Sequence, residues 1–278
     1  MLWLPFRHAF HNPIFRGGVE EFRRNNTRWS HGLNYLIVLS IVLFIFWPKE
    51  EFLRLRDLPF TYTALGGAVL VILAYISFSQ GSRKLLGVEY ISLRDWLTLA
   101  PVTAGTFLRG YLAAGLLESL FFWGLSLPLL AIAASVAGES LGHLGAGCLI
   151  ILVCLGSYRT IAVALLMYLE RDEFVLYLLV RLLYVFFILV SGFILPLKVF
   201  NPVLAFADIS ILHEPQRLPS VSLLGVTVSG WMATVGLHLL LGGLFFIIAS
   251  IRVHWIQRRA THSGTAEEEA NSGEGPRS

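Results

Sequence analysis

Charge is what this sequence has least of. Asp, Glu, Lys and Arg make up only 14% of its 278 residues, while 56% are hydrophobic. A soluble domain carries about 25% charged residues. Together with a mean hydropathy of +0.70, the deficit excludes an ordinary water-facing surface and points to lipid as the solvent. The net charge of +3 is small, so nucleic-acid binding has no compositional support. The basic residues read instead as topology signals and lipid headgroup contacts. Cysteine is nearly absent. Cys148 and Cys154 share one apolar run and fall on different faces of a helix. That spacing suggests neither a local disulfide nor a metal site, and both read as small buried apolar residues.

Catalytic motifs are also missing. There is no GxxxxGK(S/T), so the chain has no P-loop of its own. No HExxH, GxSxG or acidic cluster falls within an apolar run. Haem ligation needs paired histidines at membrane depth. Only His238 lies inside a run, while His31, His143 and His254 lie at run ends. His238 therefore reads as a polar group for helix packing. An enzyme is not expected, nor a cofactor bound by this chain. The opening MLWLPFRHAFHNPIFRGG is broken by Pro5, Arg7 and His8, which does not fit a signal peptide.

What the sequence does have is long apolar runs. Six can be read as spans, at His31–Trp47, Phe60–Phe78, Thr106–Val136, Leu144–Leu169, Phe174–Leu195 and Val226–Val253. Each provides the ~20 residues that a helix needs to cross a bilayer, the first with help from its flanks. Pro128 predicts a kink or break in the third. The fold class is therefore all-α integral membrane. A segment of residues 1–30 precedes a six-span domain of residues 31–255, and residues 256–278 form a tail. The tail is polar and Gly-rich with an acidic run, Glu267 to Glu269, and is expected to be disordered.

Lys and Arg set the orientation. Arg7, Arg16, Arg23, Arg24 and Arg28 precede the first span, Arg83, Lys84 and Arg94 follow the second, and Arg252, Arg258 and Arg259 end the sixth. The excess places both termini in the cytoplasm. Before the first span, Asn12 can cap and Pro13 can start a helix. Ile14, Phe15, Val19 and Phe22 recur at near-helical spacing, as in a helix lying in the interface. A disordered basic arm is the alternative. The loop after the fifth span, residues 198–229, is too long for a tight turn. It is expected either to form short helices at the outer surface or to dip inward under protein cover.

Three ionisable residues fall inside spans: Glu118, Arg159 and Arg181. Such groups face a bundle interior or a wet cavity. In this topology Glu118 and Arg159 come to similar depth, so a pair is expected, either locking two helices or lining a path. Arg181 is nearer a span end and can snorkel. Gly110, Ala114 and Gly115, the GxxxG of Gly138 and Gly142, and Gly242 with Gly243 mark candidate close helix contacts.

Between the second and third spans lies GVEYISLRDWLTLAPVTAG, Gly87 to Gly105. Tyr90, Leu93, Leu97 and Ala100 share one helical face, with Glu89, Ser92, Arg94 and Asp95 elsewhere. The pattern predicts an amphipathic helix parallel to the membrane, ended near Pro101. The run RDWLTLAPVTAGTFLRGYLAAGLLESL resembles the signature region of ABC-2 type permeases, the membrane subunits of many bacterial ABC exporters. Asp95 stands at the usual acid, Pro101 at the proline and Thr103 at the hydroxyl that follows it. Asp replaces the more usual Glu, Ala100 stands where a Thr often precedes the proline, and the following basic residue is displaced to Arg109. Asn12–Pro13 before the first span is similar as well.

The resemblance implies a permease of the bacterial cytoplasmic (inner) membrane. It would form a dimer with a second copy or a paralogue and move substrate with ATP bound by a separate cytoplasmic ATPase. It makes the segment between spans two and three a coupling helix, with Arg94, Asp95, Trp96 and Pro101 as contacts to that ATPase. Those residues can equally anchor an interfacial helix, with Trp96 in the headgroup belt. The competing reading of the chain is a non-transporting scaffold or anchoring subunit of a larger membrane complex.

Overall fold

The computed structural model describes residues 12–24, 27–48, 60–81, 102–169, 172–209, 218, 220–223 and 226–272. In chain order the helices are α1 (Pro13–Arg24), α2 (Thr27–Ile45), α3 (Thr61–Gly81), α4 (Ala104–Val136), α5 (Leu141–Leu169), α6 (Glu173–Phe193), α7 (Pro202–Asp208) and α8 (Gly230–Ser272). Six of them, α2 to α6 and α8, are long and apolar enough to cross a membrane. The chain is thus an almost wholly helical, multi-pass membrane protein. Among the described residues the one departure from all-α is a small antiparallel hairpin, β1 (Val221–Leu223) with β2 (Val226–Val228), in which Ser222 faces Thr227. The VTV run suits a strand through its β-branched residues, so the last helix starts at Gly230 and not at Val226.

α5 lies at the centre. Of its apolar stretch 67% is buried, against 17% for α2 and 22% each for α6 and α8. A helix that is apolar all round must be covered by its neighbours or by lipid, and α5 is flanked by α3, α4 and α8. The outer helices keep apolar faces open. Leu33, Ile37, Ile41 and Phe44 line one side of α2, and Phe174, Leu178, Leu182, Leu189 and Phe193 run along α6. In water such stripes would drive aggregation, whereas in a bilayer they face solvent of their own kind.

Local signals explain the helix ends. α1 is capped by Asn12 and opened by Pro13, and Arg23 and Arg24 in its last turn complement the helix dipole. α4 passes Pro128 as one unbroken helix, with Ser126 Oγ donating to the carbonyl of Trp123 at 2.7 Å; the expected break does not occur. Its end is set by Gly138 at φ 70°. There the Glu139 amide reaches back to the Ala134 carbonyl at 2.9 Å and the Gly138 amide to that of Ser135 at 3.2 Å, a left-handed stop suited to glycine. Gly138 therefore shapes a turn and Gly142 lies in the first turn of α5, and neither marks a helix contact: a Cβ on Gly138 would meet nothing, and one on Gly142 only Ser140 Oγ at 3.5 Å.

The connection after α6 turns back into the bundle. Phe186–Val190 form a π-helical turn, which loosens the regular hydrogen-bond ladder. Asn201 Nδ2 takes the Ile188 carbonyl in that turn at 3.0 Å, while Asn201 Oδ1 caps α7 through the amides of Val203 and Leu204, each at 3.0 Å. α7 then buries Ala205 and Phe206 against α3 and α5. The Phe206 ring occupies the space that a side chain on Gly66 or Gly147 would take. Both expectations for this loop are met in part at residues 201–208, which form a short helix and bury it under protein cover.

At the other terminus, the backbone of α8 continues as helix to Ser272, where composition predicts a disordered tail. Ala and Glu are strong helix formers, and extending an existing helix avoids the nucleation cost.

Candidate functional site

The ends of three segments meet where α4 begins. Asn12 Oδ1 accepts from the amides of Ile14 at 3.0 Å and Phe15 at 3.4 Å, and Asn12 Nδ2 donates to the Thr106 carbonyl at 2.7 Å. Its carboxamide lies where a side chain on Gly110 would go. Further along, Gly18 sits against the methyl of Ala114, and Phe22 meets Phe121 edge-on at 5.6 Å. α1 therefore runs alongside the first half of α4, in the same direction. Gly110 and Ala114, expected at a close contact, form that seam.

The third segment is α8. Gln257 Oε1 accepts the Ala104 amide at 3.0 Å, and Gln257 Nε2 donates to the Val102 carbonyl at 3.3 Å. Thr103 Oγ1 accepts the Thr106 amide at 3.3 Å as the N-cap of α4. The first amides of a helix lack intrahelical partners; here one is satisfied from a helix 153 positions away in sequence. Nothing in the spacing of a lone Gln signals this, so the sequence reading missed it.

A charged layer lies next along α4. Arg28 Nη2 approaches Glu118 Oε2 at 3.9 Å, and the Arg28 guanidinium stacks over Phe22 at 4.5 Å. Arg159 is buried, at 5% exposure. Its guanidinium lies over Gly115 and 6.0 Å from the centre of the Tyr111 ring. Gly115 and Glu118 are one turn apart, so Arg159 and Glu118 approach one level from neighbouring helices.

Helix lengths say what that level is. α2 and α3 have 19 and 21 residues, and α4 and α5 have 33 and 29. At ~1.5 Å per residue the first two span about 30 Å and the others about 45–50 Å. The hydrocarbon core is ~30 Å thick. The far ends of these helices are level, since Thr61 Oγ1 donates to the Phe46 carbonyl at 2.6 Å and Tyr62 to that of His143 at 3.2 Å. The excess length of α4 and α5 thus lies at the basic end. Arg28 opens the first span, and Ser77, near the end of α3, meets Ser119 at 3.1 Å. Glu118 therefore sits level with the basic ends of the short helices, shallower than its place within an apolar run implies.

Arg181 stands apart. It donates to the Tyr75 hydroxyl at 2.9 Å and stacks over Tyr177 at 4.5 Å. His238 packs helices together. Its Nδ1 lies 2.9 Å from the Thr234 carbonyl, which can only accept, so the proton belongs on Nδ1 and Nε2 accepts from the Tyr158 hydroxyl at 3.0 Å. Phe78 and Phe187 close over Tyr158. Ser157 Oγ reaches the His238 carbonyl at 2.6 Å, where Gly242 lets the two helices approach. Among the described residues no group of three or more His, Cys, Asp or Glu is placed to hold a metal ion.

Arg94, Asp95, Trp96 and Pro101, and the amphipathic helix expected to carry them, lie outside the described residues. The chain resumes at Val102, inside the junction held by Gln257. A scan against protein-family models finds no match for this chain, and a search of curated proteins finds none either.

Proposed function

We propose that this chain is the membrane-spanning permease subunit of an ABC transporter of the ABC-2 type, driven by ATP bound on a separate cytoplasmic ATPase. The observation that carries the reading is the junction at the start of α4. Asn12 of α1 and Gln257 of α8 both bond to the backbone of residues 102–106, immediately after the segment that bears Arg94 to Pro101. A push on that segment would enter α4 through Val102. It would reach α1 and α8 through hydrogen bonds to the main chain. The chemistry of such a subunit is conformational, and each state must bind substrate differently for work to be done. Two copies, or a copy and a paralogue, would enclose the path, with both termini cytoplasmic in the bacterial inner membrane.

The test is capture of an ATPase with the full-length chain from its own membranes. The reading expects an ATPase to co-purify and to be lost when Arg94→Glu is combined with Asp95→Arg. Retention by that double variant would overturn the coupling assignment. Capture of a membrane complex without any ATPase would favour the scaffold.

A further inference from the structure

We propose that Arg181, Tyr75 and Tyr177 together hold the phosphate of one anionic phospholipid, drawn from the leaflet at the basic end of the bundle. Arg181 lies inside an apolar span, where a charge without a counter-ion is costly. Its own helix has no Asp or Glu after Glu173, and α3 and α5, which flank it, have none at all. Among the described residues its partners are two tyrosines. Arg181 Nη2 donates to the Tyr75 hydroxyl at 2.9 Å, and the guanidinium lies 5.1 Å from the centre of that ring and 4.5 Å from that of Tyr177.

This arrangement leaves donors and no acceptor. Tyr75 takes a proton from Arg181 and keeps its own O–H to give, and no protein group accepts from the Tyr177 hydroxyl or from the other N–H groups of Arg181. Stacking fixes the plane of the guanidinium and leaves its edge for a bidentate acceptor such as a phosphate. The cluster opens outward, with Tyr177 57% and Tyr75 37% exposed.

Its level is that of the short spans' basic ends. Ser77, which stands level with Glu118 through its contact to Ser119, follows Tyr75 by two residues on α3. Arg181 follows Glu173, the first residue of α6, by eight positions, about 12 Å along the axis. By stacking over Tyr177, one turn nearer that start, its side chain turns toward the headgroups, as long basic side chains near a span end do. Tyrosines at this level are the usual interfacial belt.

The feature that selects a lipid over free phosphate lies on the other side of Arg181. Val185 and Leu189 follow it at helical spacing on α6, and both are exposed. An acyl chain can run along them while its phosphate stays at the tyrosines.

The test places the full chain in nanodiscs of phosphatidylglycerol mixed with phosphatidylcholine and reads the lipids retained on release by native mass spectrometry. The wild type is expected to retain phosphatidylglycerol preferentially. Arg181→Gln is expected to reduce that preference about five-fold, from the worth of one charge at a membrane surface. Arg181→Lys keeps the charge without the planar fork and is expected to restore only part of it. Tyr177→Leu leaves the arginine in place and is expected to lose about two-fold or more, from one stacking contact; it serves should Arg181→Gln not fold. Undiminished preference in Arg181→Gln or Tyr177→Leu would overturn the proposal. So would full restoration by lysine, or an equal loss from Arg23→Gln with Arg24→Gln on α1, since either means attraction by charge alone. Displacement by inorganic phosphate at matched concentration would make this a free-anion site, and loss of a dimer together with the lipid would make it a protein contact; both overturn the assignment.

Discussion

The two ends of the bundle are held together by different physics. At the basic end the joints are polar. Asn12 and Gln257 bond to backbone groups of residues 102–106, and Arg28, Glu118 and Arg159 meet at one level of α4. At the far end the joint is a ring in a slot, Phe206 filling the space left by Gly66 and Gly147 and lying 4.9 Å from Tyr62. Hydrogen bonds at a wetted end can be exchanged for water at small net cost. A close-packed aromatic cannot shift by a fraction of its width without opening a void. The contrast makes the far end the stiffer of the two.

The sharpest way to break this comparison is at Phe206. Phe206→Ala is expected to cost about 3–5 kcal/mol of stability, measured by unfolding in mixed micelles, with ATPase capture intact in whatever fraction remains folded. A loss below ~1 kcal/mol would mean that the far end is not the stiff one. Next comes a matched pair of glycines. Gly147→Ala drives a methyl into the Phe206 ring and the Tyr62 hydroxyl, and is expected to cost about 1–3 kcal/mol. Gly115→Ala meets only the outer end of the flexible Arg159 side chain, and its thermal shift should be clearly smaller. Equal shifts would erase the distinction between the ends. The smallest stability effect is expected at Gln257. Gln257→Leu should cost about 1 kcal/mol, yet separate ATP hydrolysis from transport in the reconstituted complex. Coupled turnover at the wild-type ratio would show the clamp to be structural only.

Much of the fold was legible because lipid leaves so few choices. An apolar run of sufficient length has to become a helix, since each unpaired backbone group costs several kcal/mol in hydrocarbon. Asn12–Pro13 was legible as a helix start because capping is local chemistry, and His238 as a packing residue because its neighbours in sequence are apolar. The Asn201 cap carries the same Asn-Pro signal and went unread, masked by the length of its loop. Pro128 signalled a kink or a break, and the packed helix runs past it without the break. Gly138 with Gly142 matched a helix-contact pattern by spacing alone, and the left-handed turn shows why spacing is a weak guide for glycine.

By itself, then, the amino-acid order determined that this chain enters a membrane, where its long helices fall, and which end of the bundle is basic. These follow from hydropathy, capping and charge counted along a line. Only the tertiary structure decided that α1 lies along α4, that Gln257 closes the start of α4, that Arg28 meets Glu118, and that Phe206 returns to fill a glycine slot. Each joins residues far apart in sequence through side-chain reach and helix length, and neither leaves a period in the sequence to be read.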